Sequence, residues 1–270
     1  MIDPRLTSTI LSRIEASLGA PHKAPLVVGI SGAQGCGKTT LVAHLAAQLA
    51  DGGVRVATLS LDDLYLTRAE RQSLAAEVHP LLATRGVPGT HDIGLGLSLI
   101  AALERSEAAS LPRFDKSVDD RSPQTEWPLA PAQTQVLLLE GWCLGARPQG
   151  DISIPINALE VEEDPQAIWR SFAKTALANR YQTLFARIDL LVLLAAPDWA
   201  VVAKWREQQE AELRAGGGPA VMRAAEVCRF IQHYERLTRW ILAEMPARAD
   251  LVARLGPNRE VLEIGAGIPG

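Results

Sequence analysis

The chain has 270 residues, 47% of them hydrophobic and 21% charged, enough apolar surface for one large core with an appendage and too little charge for a disordered polymer. Lys and Arg number 27 against 31 Asp and Glu, a net charge of -4, so the basic surplus that grips a phosphate backbone is missing and nucleic acid is excluded as the main partner. The apolar run Leu190 to Ala196 is closed by Pro197 and Asp198 and falls far short of the roughly 20 residues that span a bilayer. No membrane partner is expected. The start, Met1-Ile2-Asp3-Pro4-Arg5, lacks the apolar stretch of a signal peptide. Cys36, Cys143 and Cys228 have neither the CxxC spacing nor the His pairing that suggests disulfides or zinc. The expectation is a cytoplasmic chain with reduced thiols, its oligomeric state left open.

In chain order, Ile10, Leu11, Ile14 and Leu18 recur at helical spacing before Gly19 and predict an amphipathic helix within an N-terminal extension, residues 1–24. Leu26 to Ile30 reads as a buried strand, Leu41 to Leu49 as a helix and Val54 to Leu61 as a second strand. Helices are predicted over Arg68 to Glu77 and Leu95 to Leu103, strands over Val136 to Leu139 and Ile188 to Leu194, a helix over Trp199 to Arg214 and a last strand over Val261 to Ile264. Strands alternating with helices imply an α/β fold, a P-loop NTPase-type parallel sheet with helices on both faces, occupying residues 25–270. Two stretches break the rhythm, Thr84 to Asp92 and the Pro-, Asp-, Arg- and Ser-rich Pro112 to Pro131, and such loops usually bind ligands. Gly216-Gly217-Gly218-Pro219 separates two charged helices and predicts the hinge of a small helical lid, about 204–222.

Gly32-Ala33-Gln34-Gly35-Cys36-Gly37-Lys38-Thr39 matches G-x-x-x-x-G-K-[ST] at every fixed position, after a strand and before a helix, with Thr40 continuing that helix. Glycines let backbone N–H groups turn toward phosphates and the helix N-terminus adds its positive end. This predicts a purine triphosphate site in which Lys38 reaches the β and γ phosphates and Thr39 ligates Mg²⁺. The bland alternative, a Gly-rich turn with an accidental lysine, does not account for the full match in that context. Val136 to Leu139 then ends in Glu140, an acid suited to hold Mg²⁺ directly or through water.

Leu59-Ser60-Leu61-Asp62-Asp63-Leu64-Tyr65 puts a carboxylate pair at the C-terminal edge of the second strand, where open α/β sheets bind ligands and where Asp62 is placed to take a hydroxyl proton. The competing role for both acids is shaping the turn. Together with Arg85-Gly86-x-Pro88-Gly89-Thr90-His91-Asp92, Pro112-Arg113-Phe114-Asp115-Lys116-Ser117 and Glu140-Gly141-Trp142-x-Leu144-Gly145, this segment resembles the D-glycerate 3-kinase family. That family belongs to the phosphoribulokinase, uridine kinase and pantothenate kinase group, and the likeness runs from about Val27 to the C-terminal helices. The resemblance implies a P-loop kinase that moves the γ-phosphoryl of Mg-ATP to the 3-hydroxyl of D-glycerate. Asp62 matches the base, Lys38 and Thr39 the phosphate and Mg²⁺ contacts, and Arg206 and Arg214 the lid arginines that meet the transferred phosphate. Leu64 stands where the family has an aromatic.

A three-carbon hydroxy acid needs a cationic clamp to lie in line with the γ-phosphate. Arg85, His91, Arg113, Lys116 and Arg121 lie in the two irregular loops; Arg113 or Arg121 suits the carboxylate, and Asp92 or Asp115 suits the hydroxyls. Tyr65 joins them as a substrate contact. Trp127 and Trp142 read as packing residues. Other readings are a related kinase of a nucleoside, pantothenate or sugar phosphate, and a non-catalytic ATP-binding regulator. With aromatics at 5% of the chain, stacking on a nucleoside is disfavoured, and a regulator has no need of Asp62.

Overall fold

The computed structural model describes residues 2–22, 24–215 and 224–267. Helix α1 (Pro4–Leu18) starts where Asp3 accepts the Arg5 N–H, and buries Leu6, Ile10 and Ile14 in the core. Strand β1 (Leu26–Gly32) and helix α2 (Lys38–Asp51) flank the phosphate loop. Strand β2 (Val56–Ser60) is shorter than the apolar pattern predicts, because Ser60 caps a 3₁₀ turn over Leu61–Leu64. Helix α3 (Arg68–Glu77) opens on a capping box between Thr67 and Glu70, and Asp92 caps α4 (Ile93–Glu104) by accepting the Leu95 N–H.

The stretch Pro112 to Pro131 is less irregular than its composition suggests. Strands β3 (Ala109–Ser110), β4 (Phe114–Asp115), β5 (Asp120–Arg121) and β6 (Leu129–Ala130) fold it into two antiparallel pairs, β3 with β6 and β4 with β5. Pairs this short leave no periodic signal. Strand β7 (Val136–Gly141) follows, then α5 (Ala158–Glu163), α6 (Ile168–Ala176), a π-helical turn over Leu177–Tyr181 and α7 (Gln182–Phe185). Sequence reading assigns none of these helices, although Ile168, Trp169, Phe172, Ala173 and Ala176 of α6 recur at helical spacing. Strand β8 (Leu190–Ala195), α8 (Trp199–Ala215), α9 (Ala224–Glu244), β9 (Leu251–Leu255) and β10 (Val261–Gly265) complete the order.

The main sheet has six strands in the order β10-β9-β8-β1-β7-β2. All pairings are parallel except β10 on β9, so the predicted last strand is an antiparallel edge. Sequence reading misses β9: its five residues follow a short turn and carry an internal arginine. Alternate residues of the central strands face opposite ways. Val27, Leu137, Leu139 and Leu193 meet α4 and α9, while Val28, Ile30, Leu138 and Val192 meet α1, α2 and Trp205 of α8. No helix of the described residues is long and apolar enough to cross a membrane. The predicted hinge Gly216 to Pro219 lies outside the described residues.

Three loops beside the sheet are tied by Arg71, which is 1% exposed. Its Nε donates to the Leu66 carbonyl at 3.2 Å, Nη1 to Ala83 at 2.8 Å and Nη2 to Asp119 at 2.7 Å, with the Asp119 carboxylate 2.9 Å away. Replacing it by Met strands those acceptors in the interior, and Arg71→Met is expected to cost about 3 to 5 kcal/mol in urea unfolding. Arg105→Ala, at the exposed Arg105–Glu107 pair, should leave the midpoint in place. Equal midpoints for the two variants would refute the cross-link.

Candidate active site

The phosphate loop leaves β1 at its C-terminal end and turns through Gly35 (φ 76°) and Gly37 (φ 94°), left-handed angles that strain any residue with a Cβ. Gly37 caps α2, so the helix N-terminus opens onto the loop. Gly35 also touches Trp205, and a Cβ there would press on it. Its carbonyl accepts the Arg259 Nε at 2.6 Å, and that guanidinium lies 5.3 Å over the Trp205 ring. These two braces, from α8 and the turn before β10, carry no motif that sequence reading detects. Among the predicted loop contacts Gln34, Gly35, Lys38 and Thr39 line a cavity of about 320 Å³. Gly32, Ala33 and Cys36 are buried in the frame of the loop, and Thr40 lies exposed in the first turn of α2. Lys38 Nζ donates to the Ala33 carbonyl at 3.2 Å. Burial opposes its charge, but Cys36 and the carboxylates of Glu140 and Asp62 outweigh that and raise its pKa. Thr39 Oγ1 donates to Glu140 Oε1 at 3.1 Å, bringing together the two predicted metal ligands.

At the end of β2 the adjacent carboxylates take different surroundings. Asp62 faces the cavity: Tyr65 OH donates to its Oδ1 at 2.7 Å and Lys116 Nζ to its Oδ2 at 2.6 Å. Desolvation works to raise its pKa, yet Lys116 and Tyr65 overcome it and hold the group at about 2. Asp63 also lines the cavity, but its side chain is taken up by the frame, accepting the Ser60 N–H at 3.4 Å, the Phe114 N–H at 3.2 Å and Arg113 Nη1 at 3.3 Å. Burial pushes its carboxyl up against the pull of Arg113.

The cationic loops divide in the same way. Arg85 lines the cavity, paired with Asp119 and 5.5 Å over the Phe114 ring, and Lys116 lines it beside Asp62. Arg113, expected on the substrate, instead holds Asp63. Asp115, expected on a hydroxyl, accepts the Ser117 N–H and Oγ within its own turn. Asp92, expected on a hydroxyl, caps α4 and lies 3.5 Å from Arg121, whose Nη2 donates to the Tyr65 carbonyl. His91 is buried and does not line the cavity; its ring packs 4.7 Å from Tyr65. Tyr181 OH accepts the Gly89 N–H at 2.9 Å and shares a 2.6 Å hydrogen bond with His91 Nδ1. Burial lowers the His91 pKa to about 4. Arg113, Asp115 and Asp92 share a physical reason, that loops with little apolar surface are held by their own charges, whereas the neutral His91 is held by ring packing and its Tyr181 hydrogen bond.

Arg206 reaches the cavity from α8, with Nη1 donating to Gln209 at 2.9 Å and its guanidinium 5.4 Å over Phe230. The Arg214 side chain lies outside the described residues. Sequence reading also misses Tyr234, whose hydroxyl donates to the Arg85 carbonyl at 2.9 Å from α9, and the cavity face of the buried Trp142, whose Nε1 donates to Gly86 at 2.9 Å. Tyr234 belongs to no local motif, and Trp142 stands in the Glu140 to Gly145 motif, where it reads as a packing residue. Among the described residues no group of three or more His, Cys, Asp or Glu side chains gathers to hold a metal by itself.

The family model for the methylmalonyl Co-A mutase-associated GTPase MeaB matches residues 4–65, from α1 through the phosphate loop to Tyr65, and bears on the nucleotide half alone. Across most of the chain the likeness is to kinases. The chain is 35% identical over 228 residues to an uncharacterized kinase, mug58, of Schizosaccharomyces pombe, covering 79% of this chain and 80% of that one. It is 34% identical over 241 residues to the chloroplastic D-glycerate 3-kinase of Arabidopsis thaliana, covering 84% of this chain and spanning half the length of the plant protein. A solved structure of D-glycerate 3-kinase from Cryptococcus neoformans superposes with a TM-score of 0.74 at 26% identity, covering 97% of this chain and 98% of that one. With a phosphate loop, a strand-ending acid and a cavity between them, the chain belongs to the D-glycerate 3-kinase family of P-loop kinases and is an ATP-dependent kinase of a small molecule.

Proposed function

We propose that this kinase transfers the γ-phosphoryl group of Mg-ATP to the 3-hydroxyl of D-glycerate, giving 3-phosphoglycerate. The observation that carries the reading is one cavity with Lys38, Thr39 and Arg206 on its phosphate side and Asp62, Arg85 and Lys116 on the other. The names of the plant and fungal relatives support the same acceptor. Lys38 and the loop N–H groups hold the β and γ phosphates, and Arg206 meets the charge that spreads over the γ-phosphoryl oxygens during transfer. The hard oxygens of Thr39 and Glu140, 3.1 Å apart, fit a Mg²⁺ ion that takes few protein ligands and completes its shell with phosphate and water. When bound, the ion neutralises phosphate charge. Asp62 receives the acceptor's hydroxyl proton, while Arg85 and Lys116 supply positive charge for a carboxylate.

The rings along the cavity do not argue for a nucleoside. Tyr65 is engaged with Asp62, Tyr234 with Arg85, Trp142 with Gly86, and Phe230 carries Arg206.

With Mg-ATP and a panel of acceptors, D-glycerate should turn over faster than L-glycerate, uridine or pantothenate, and phosphorus NMR should place the phosphate at the 3-position. A faster nucleoside, or a 2-phosphoglycerate product, refutes the reading. Asp62→Asn should lower kcat about 10² to 10⁴-fold while the KM for ATP moves little. Collapse of ATP binding with the rate preserved would instead assign Asp62 to the nucleotide side. Arg206→Ala should lower kcat about 10 to 10³-fold with a smaller change in the KM for D-glycerate; wild-type kcat in that variant would remove the arginine from the transition state.

A further inference from the structure

The β4–β5 hairpin is pinned on both sides. Asp63 accepts the Phe114 N–H, Asp120 Oδ1 accepts the Arg68 N–H at 3.1 Å, Arg121 Nη2 donates to the Tyr65 carbonyl at 2.9 Å, and Arg71 and Arg85 both grip Asp119. Lys116 leaves this fixed backbone with its side chain 58% exposed and its ammonium 2.6 Å from Asp62 Oδ2. The other carboxylate oxygen is taken by Tyr65 OH. Each oxygen of the proposed base therefore carries one donor, and with an ammonium 2.6 Å from Oδ2 that oxygen is a poor acceptor for a hydroxyl's proton. Tyr65 is 2% exposed and wedged between His91 at 4.7 Å and Phe114 at 5.2 Å, so it stays. Lys116, a point charge on a four-carbon stem, is free to rotate away without any backbone movement.

We propose that Lys116 is both the receptor for the acceptor's carboxylate and the gate on Asp62: an anionic acceptor draws the ammonium off Oδ2, and the freed oxygen accepts the hydrogen bond of the acceptor's hydroxyl. This rests on Asp62 acting as the base, as proposed above. In the transfer the acceptor O–H bond breaks and its proton passes to Asp62 Oδ2. The acceptor oxygen bonds to the γ-phosphorus as the bond to the β–γ bridging oxygen breaks, and that electron pair leaves with ADP. Asp62 then returns the proton to solvent. A neutral polyol with the same hydroxyl offers the ammonium no competing anion, so the gate selects hydroxy acids by charge before any difference in shape matters.

The charged and titratable groups around Asp62 are Lys116 from the hairpin, Tyr65 and Asp63 on its own turn, Arg85 and His91 from the following loop, Lys38 from the phosphate loop, Cys143 after β7 and Tyr234 from α9. The Cys143 thiol and the Tyr234 hydroxyl are pushed up by burial and keep their protons, and Arg85 is paired with Asp119. His91 is neutral and Tyr65 protonated at neutral pH, and Lys38 is buried on the nucleotide side. Lys116 is thus the group whose departure changes the charge felt by Asp62. Losing a cation raises a carboxyl pKa, so the gate strengthens the base as it opens.

The test compares D-glycerate with D-glyceramide, its neutral carboxamide, in the wild-type enzyme, Lys116→Met and Lys116→Arg at saturating Mg-ATP. Wild type should prefer D-glycerate by about a hundredfold or more in kcat/KM. Lys116→Met should compress that preference to about tenfold or less, by losing D-glycerate binding and by gaining kcat on the amide, with the KM for ATP unchanged. Lys116→Arg should keep most of the preference. With D-glyceramide, which has no carboxyl of its own, the acid limb of kcat/KM should move to higher pH in Lys116→Met, because Asp62 no longer has the cation that holds it at about 2. A wild-type enzyme that phosphorylates D-glyceramide or uridine faster than D-glycerate overturns the acceptor reading and the gate together. A wild-type enzyme that prefers D-glycerate, with Lys116→Met keeping both that preference and the acid limb, overturns the gate alone.

Discussion

Parallel pairing of β1 with β7, and of β7 with β2, puts the C-terminal ends of three strands side by side at one edge of the sheet, with neighbouring strands about 4.8 Å apart. The register aligns Ile30 and Ser60 with Glu140. The phosphate loop after β1, the acid at the end of β7 and the carboxylates after β2 therefore meet without any loop having to reach across the molecule. The groups gathered this way favour the charged lysine: Cys36, Glu140 and Asp62 raise the Lys38 pKa against the desolvation that works to lower it. Right-handed crossovers through α2 and α4 cover the two faces and leave this edge open.

The acceptor side is held by a different kind of force. The stretches 84–92 and 112–131 have few apolar side chains to bury, and their backbone must be fixed by polar contacts. Arg71, Arg85, Arg113 and Arg121 each tie two or more segments, with carboxylates or carbonyls as partners. Counting loop cations overestimates the groups available to a substrate, since most are consumed in holding the loops. The planar guanidinium suits that cross-linking role, and the single lysine of the hairpin retains its mobility.

Residues distant in sequence complete both halves. Tyr234 reaches from α9 to the Arg85 carbonyl, and the space it fills is the one a Cβ on Gly86 would occupy. Trp205 and Arg259 brace Gly35 from α8 and from the turn between β9 and β10. The C-terminal third of the chain thus shapes a site whose recognisable motifs lie between residues 32 and 145.

Local chemistry was enough to read the α/β class, the order of the central strands' neighbours in sequence, the phosphate loop, Glu140 and the Asp62–Asp63 turn, because each depends on residues close along the chain. Continuous apolar runs declare buried strands, glycine spacing declares a loop that must bend around phosphates, and an acid after such a run declares a strand end. The antiparallel edge of β9 and β10 and the two small pairs in the second loop were not legible, since their stability comes from partners away from their own sequence, while α6 does carry helical spacing that the reading passed over. The division of labour among charged residues belongs to the same class. Asp62 and Asp63 are chemically identical neighbours that both line the cavity, and Arg85 and Arg113 are alike in kind; which carboxylate pairs with Lys116 and which with Arg113 and the Phe114 N–H is decided only when the hairpin docks on the turn after β2, because a charge takes the role of whatever opposite charge the fold brings within about 3 Å of it.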